Sequence, residues 1–158
     1  MIGLEIGRII HILGVVFWIG GVAMITTIIL PAIKKFKSAE ERVEFFEKVE
    51  RRFQIQARVT TVVTGLSGFY MISKLHAWSW FLDASYWWMW AMVIVWLIFT
   101  VMLFIIEPFI LKNKLIEKAK TDPEGAFKKI QTMHAHLLWI SLLTIIGAVA
   151  GAHGWLFF

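Results

Sequence analysis

The stretch IIHILGVVFWIGGVAMITTIILPAI, residues 9–33, runs for 25 residues with His11 as its only ionisable member. A helix rises about 1.5 Å per residue and needs about 20 apolar residues to cross bilayer hydrocarbon, so this stretch reads as a membrane span. It is too long for the apolar region of a cleavable signal peptide and lacks a small-residue cleavage site, so it is expected to remain in the protein.

Working outward, a charged stretch follows in which Val43, Phe46, Val49 and Phe53 recur at three- and four-residue steps. That spacing predicts an amphipathic helix over 36–53, lying along the cytoplasmic surface or prolonging the next span. Further spans are expected near 54–75, 84–111 and 129–157, with the first extending over 4–33. Arg58 and Lys74 fall near the two ends of the second span, where their stems can carry the charge to the headgroups. Between the second and third spans lies a short tryptophan-rich loop. Between the third and fourth lies a basic loop interrupted by Asp122, Pro123 and Gly125. The chain is 59% hydrophobic, against about 45–50% for soluble domains. The expected fold is a single all-α domain over 1–158, an integral membrane four-helix bundle of up-down topology.

Charge orients it. Of 16 Lys and Arg, eight lie between Lys34 and Arg58 and six between Lys112 and Lys129. The positive-inside rule puts both basic loops in the cytoplasm and both termini on the non-cytoplasmic side of an inner or plasma membrane. The net charge of +5 is then a topology signal, and no nucleic-acid partner is needed to explain it. Absence of cysteine excludes disulfides and thiolate metal sites.

A shift of 77 residues aligns Pro31 with Pro108, Lys35 with Lys112, Arg51-Arg52 with Lys128-Lys129 and Gln54 with Gln131. It also aligns His76 with His153 and Trp78 with Trp155. This reads as two similar helical hairpins. The match fails at His11, which falls on Trp88, and at His134 and His136, which fall on Ala57 and Val59.

Ionisable groups inside a membrane are costly and usually functional. His11 precedes Pro31 by 20 residues, about 30 Å along a helix, which sets it near the outer boundary. His76 and His153 close the second and fourth spans on that same side, so three imidazoles are candidate ligands of one outer site. His134 and His136 begin the fourth span on the inner side. Gly14, Trp18 and Gly21 follow His11 in one stripe, and small residues there admit a flat macrocycle or another backbone. Haem b suits neutral imidazoles between membrane helices, and Arg8, one turn before His11, could serve a propionate. His136 and His153 stand 17 residues apart, a rotation of about 100° that disfavours them as ligands on one face. Copper is the alternative occupant, on His11, His76 and His153 with Met71 and Met89 nearby. For Glu107 the expectation is an ion pair with Arg58 or Lys112, or else a proton or quinone contact. Expected partners are lipid, a quinol or small redox partner, and a second copy in a homodimer. A cofactor-free assembly subunit is a third reading.

The segment from His11 through Trp18 to Gly21 resembles the first helix of the HemJ family, His-x6-Trp-x-x-Gly. That resemblance implies a haem-b membrane protein linked to protoporphyrinogen oxidation, with His11 as ligand. Trp18, Gly20, Gly21 and Pro31, followed by Arg51-Arg52-Phe53 and Thr64-Gly65, resemble CopD-type proteins, which implies a role in copper uptake. The resemblance covers roughly residues 8 to 75.

Overall fold

The computed structural model describes residues 2–35, 38–111 and 121–155. Four long helices account for most of them, and no strand occurs among the described residues. Most of the expected second basic loop, 112–120, and the last three residues lie outside the described ones.

Helix α1, Ile2–Ile33, is α-helical to Met24, winds as a π-helix over Ile25–Ile29 and closes with a turn over Leu30–Ile33. The loosening has a local cause. Pro31 has no N–H to offer the preceding turn, and its ring presses on that turn's carbonyl. Thr26 and Thr27 donate their hydroxyls to the carbonyls of Val22 and Ala23 at 2.7 and 2.8 Å, the back-bonding that often bends a helix. Helix α3, Trp87–Val101, repeats the pattern by passing into a π-helix over Met102–Leu111, around Pro108.

Helix α2 spans Ala39–Lys74, 36 residues without a break. Ser38 caps it by accepting a hydrogen bond from the Glu41 N–H at 3.1 Å, the first half of a capping box. The amphipathic segment therefore runs as one helix into the stretch expected as the second span. The chain leaves α2 through His76, whose left-handed φ of 52° stops further winding. Two short 3-10 turns follow, where Trp80 stacks on Tyr86 at 4.6 Å and Trp90 donates to the Phe81 carbonyl at 2.9 Å. Helix α4 spans Pro123–Ala152. It begins earlier than the expected 129, because Asp122 and Pro123 act as N-cap and first helical residue. Asp122 accepts from the Gly125 N–H at 2.9 Å.

Two buried clusters hold the helices together. One, at the end where α2 and α4 begin, joins Ile25, Leu30 and Ile33 to Phe46, Phe127 and Ile130. The other joins Trp18, Ile19 and Val22 to Phe99 and Leu138, with Trp18 edge-on to Phe99 at 4.8 Å. Arg42 ties the start of α2 to the start of α4 through Glu124 at 2.9 Å. Outside these clusters the surface is apolar, with Ile9, Leu13, Phe17, Ile94, Ile105, Leu143 and Ile146 all exposed. A water-facing surface would not carry so many, and lipid accounts for them. Among the described residues three helices are long and apolar enough to cross a membrane: Ile2–Ile33, Ala84–Phe109 and Glu124–Ala152. The protein is membrane-embedded.

Candidate functional site

The seam between α1 and α2 repeats every seven residues. Gly7, Gly14 and Gly21 form one row, and Leu4, His11, Trp18 and Ile25 form the neighbouring one, the spacing that keeps two helices in contact along their length. At each glycine a side chain of α2 fills the space that a Cβ would need. Tyr70 and Met71 do so at Gly7, Thr64 at Gly14 and Phe53 at Gly21. The glycine stripe is thus occupied by protein, and a macrocycle has no slot along it.

His11 lies half-buried within this seam. Its Nδ1 is 2.9 Å from the Thr64 carbonyl oxygen and 3.3 Å from Ser67 Oγ. A carbonyl only accepts, so Nδ1 carries the proton and donates. Ser67 gives its own hydroxyl to the Val63 carbonyl at 2.6 Å, which leaves its lone pairs facing the ring. Gly68 makes the approach possible, since a Cβ there would stand 3.2 Å from the imidazole Cε1. The consequence is a fixed tautomer. Nε2 keeps its lone pair, as a metal-ligating histidine does when its other nitrogen is held by a backbone carbonyl.

The remaining candidates are placed differently. Arg8 is exposed on α1. His76 is exposed at the end of α2, and His153 is exposed at the end of α4, where it donates to the Val149 carbonyl at 2.8 Å. His136 is exposed and lines a surface groove with Lys128, Lys129 and Thr132. His134 is buried, donates to the Ile130 carbonyl at 3.0 Å and meets Phe46 edge-on at 5.6 Å. Among the described residues no three His, Asp or Glu side chains come together as a metal-holding group.

A second polar region lies deeper. A cavity of about 50 Å³ is walled by residues of all four helices, among them Trp18, Glu50, Gln54, Glu107 and His134. Arg58 does not reach for the headgroups. It binds Glu107 at 2.8 Å, donates to the Leu103 carbonyl at 3.2 Å and lies over the Phe104 ring. The pairing with Glu107 follows the sequence expectation; Lys112, the other expected partner, lies outside the described residues. Trp18 is 4% exposed and its Nε1 has no hydrogen-bond partner among the described residues.

Glu50 and Gln54 were not singled out by the sequence reading. The signal was present: positions 46, 50, 53 and 57 continue the three- and four-residue steps, which puts Glu50 on the inward face of that helix. Burial, reinforced by the Glu107 and Glu47 carboxylates, pushes the Glu50 carboxyl up to about 8. Compared with known families, with characterised proteins and with solved structures, the chain matches none.

Proposed function

We propose that this chain is a four-span membrane protein, both termini on the non-cytoplasmic side, that holds haem b through His11 and exchanges electrons near the outer face. The observation that carries the reading is the hydrogen bond from His11 Nδ1 to the Thr64 carbonyl, 2.9 Å long. It commits the imidazole to one tautomer, orients it, and leaves Nε2 as a ligand inside an apolar helix pair.

The fourth span in this reading is α2, whose average hydropathy is lowered by Thr61, Thr64 and Ser67. All three are buried. Its outward face is Ile55, Val59, Val62 and Leu66, each exposed, a lipid-facing stripe of about 16 Å at the helical rise. The charge distribution supplies the orientation.

The residues present fit the group in part. His11 supplies one axial nitrogen, and Arg8 offers a cation one turn nearer the outer surface. Gly14 and Gly21 supply no slot, being covered by Thr64 and Phe53, so their role is to seat α2 against α1. Haem bound at His11 would supply one-electron chemistry. The chain's own share is to fix the ligand tautomer and keep water from the seam. The test is the absorption spectrum of protein purified from haem-supplemented cells. A Soret band in proportion to protein supports the reading, and a colourless protein sinks it.

A second reading, a copper site, has its own observation. Met71 packs against Gly7, one turn above His11, bringing a thioether and an imidazole nitrogen to the same stretch of seam. Soft thioether and imidazole donors suit copper. Stoichiometric copper without haem, after purification free of chelators, would favour it.

A further inference from the structure

Beyond the His11 seam, and independent of what binds there, we propose that the cavity between the four helices is a proton-binding station. Glu50 is the group that takes the proton, and water connects it to the cytoplasmic side.

The geometry starts from room and partners. A water molecule needs about 10–15 Å³ of such space, so a cavity of about 50 Å³ holds a small cluster. Its walls offer the cluster both donors and acceptors. Trp18 Nε1 is a buried donor with no partner among the described residues, and an unmade hydrogen bond in the interior costs about 1–3 kcal/mol. His134 has given its Nδ1 proton to the Ile130 carbonyl, so its Nε2 is an acceptor. Gln54 can serve as either.

The charges around Glu50 come from three helices. On α2 its neighbour is Glu47; on α3 it faces Glu107; on α4 it faces His134; α1 contributes only Trp18 and Val22. Arg58, the ion-pair partner of Glu107, is committed to that carboxylate at 2.8 Å. Glu50 has no ion-pair partner among the described residues. A half-buried carboxylate beside another carboxylate, with the local cation already engaged, is stabilised by taking up a proton. The step is a simple addition: a proton from water joins a carboxylate oxygen of Glu50 to give the neutral acid, and no electrons move. The raised carboxyl of Glu50 agrees with this, since it holds its proton at neutral pH.

Access follows from α4. Met133 and Leu137 line both the cavity and the surface groove that holds Lys128, Lys129 and His136. These two side chains, one turn apart on α4, border both spaces, and Met133 is unbranched and adaptable.

The experiment is infrared spectroscopy of the full chain in lipid nanodiscs, following the stretch of protonated carboxyl groups with pH. At neutral pH a protonated-carboxyl band is expected; it should titrate near pH 8, shift promptly in D2O, disappear in Glu50→Gln and persist in Glu107→Gln. In Glu50→Asp the band should remain with a moved midpoint, which covers the case in which Glu50→Gln fails to fold. Trp18→Phe should raise the midpoint, because a donor that favours the carboxylate through water is lost. No band in the wild type at neutral pH, a band that survives in Glu50→Gln, or one that does not exchange in D2O would overturn the proposal.

Discussion

The two hairpins of the molecule solve the same packing problem in opposite ways. In α1–α2 the glycine row lies on the first helix, where Thr64 and Phe53 of the second fill the space at Gly14 and Gly21, and Gly68 alone on the second admits His11. In α3–α4 the glycines lie on the returning helix: Gly147 faces Trp87 and Gly151 faces Trp88. Other features keep the register of the 77-residue shift. The π-helical stretches begin at Ile25 and Met102, and the buried positions Ala57, Thr61 and Thr64 correspond to His134, Leu138 and Ser141, all buried. His11 and Trp88 occupy matching positions with different chemistry. An imidazole that donates to a backbone carbonyl keeps a ligand nitrogen, whereas an indole has none to offer. Of these two matching positions, His11 alone presents a nitrogen lone pair.

The largest expected effect comes from filling the first seam. Gly21→Leu drives a side chain into the space of Phe53 and should cost about 3 kcal/mol, read as a lowered midpoint of thermal unfolding in detergent. A variant as stable as the wild type would show that α1 and α2 are not held by this contact.

The next is the bond between the hairpins. Arg58→Met leaves Glu107 without its cation and should cost about 2 kcal/mol, a smaller loss than for a fully buried pair because Arg58 is one-third exposed. Adding Glu107→Leu should restore most of that stability. A double variant no better than the single one would remove the ion pair from the account.

The pH dependence is smaller. A carboxyl raised from its ordinary value to about 8 binds its proton more tightly in the folded chain than in the unfolded one. Its contribution is fully present below the ordinary carboxyl range and is lost as pH rises through about 8. Thermal stability should therefore decline between pH 5 and 9, and Glu50→Gln should flatten the decline. An unchanged slope in that variant would assign the decline to other groups.

The smallest effect is a control. Gly20 meets no atom within 4 Å, so Gly20→Ala should leave stability unchanged or raise it by about 1 kcal/mol or less. The contrast with Gly21 tests whether one glycine row, and not glycine content, makes the seam.

Much of this was legible in the residues, and the misses have physical reasons. The span through residues 9–33 is read from apolar length, and α1 contains it. The 54–75 stretch is harder, because the buried face of α2 there includes Thr61, Thr64 and Ser67, and hydropathy cannot tell an inward hydroxyl from an outward one. The start of α4 was read late because Asp-Pro-x-Gly marks turns and helix N-termini alike. The partner of His11 could not be foreseen at all, since a backbone carbonyl leaves no residue type to find. The glycine stripe was read as room for a macrocycle or another backbone, and α2 occupies it.

The most direct test compares spectra of three purified proteins: wild type, His11→Ala and His134→Ala, each from haem-supplemented cells. The account predicts a Soret band in the wild type and in His134→Ala, and none in His11→Ala. A wild type without the band, or a His11→Ala variant that keeps it in full, would contradict the assignment of His11 as the ligand.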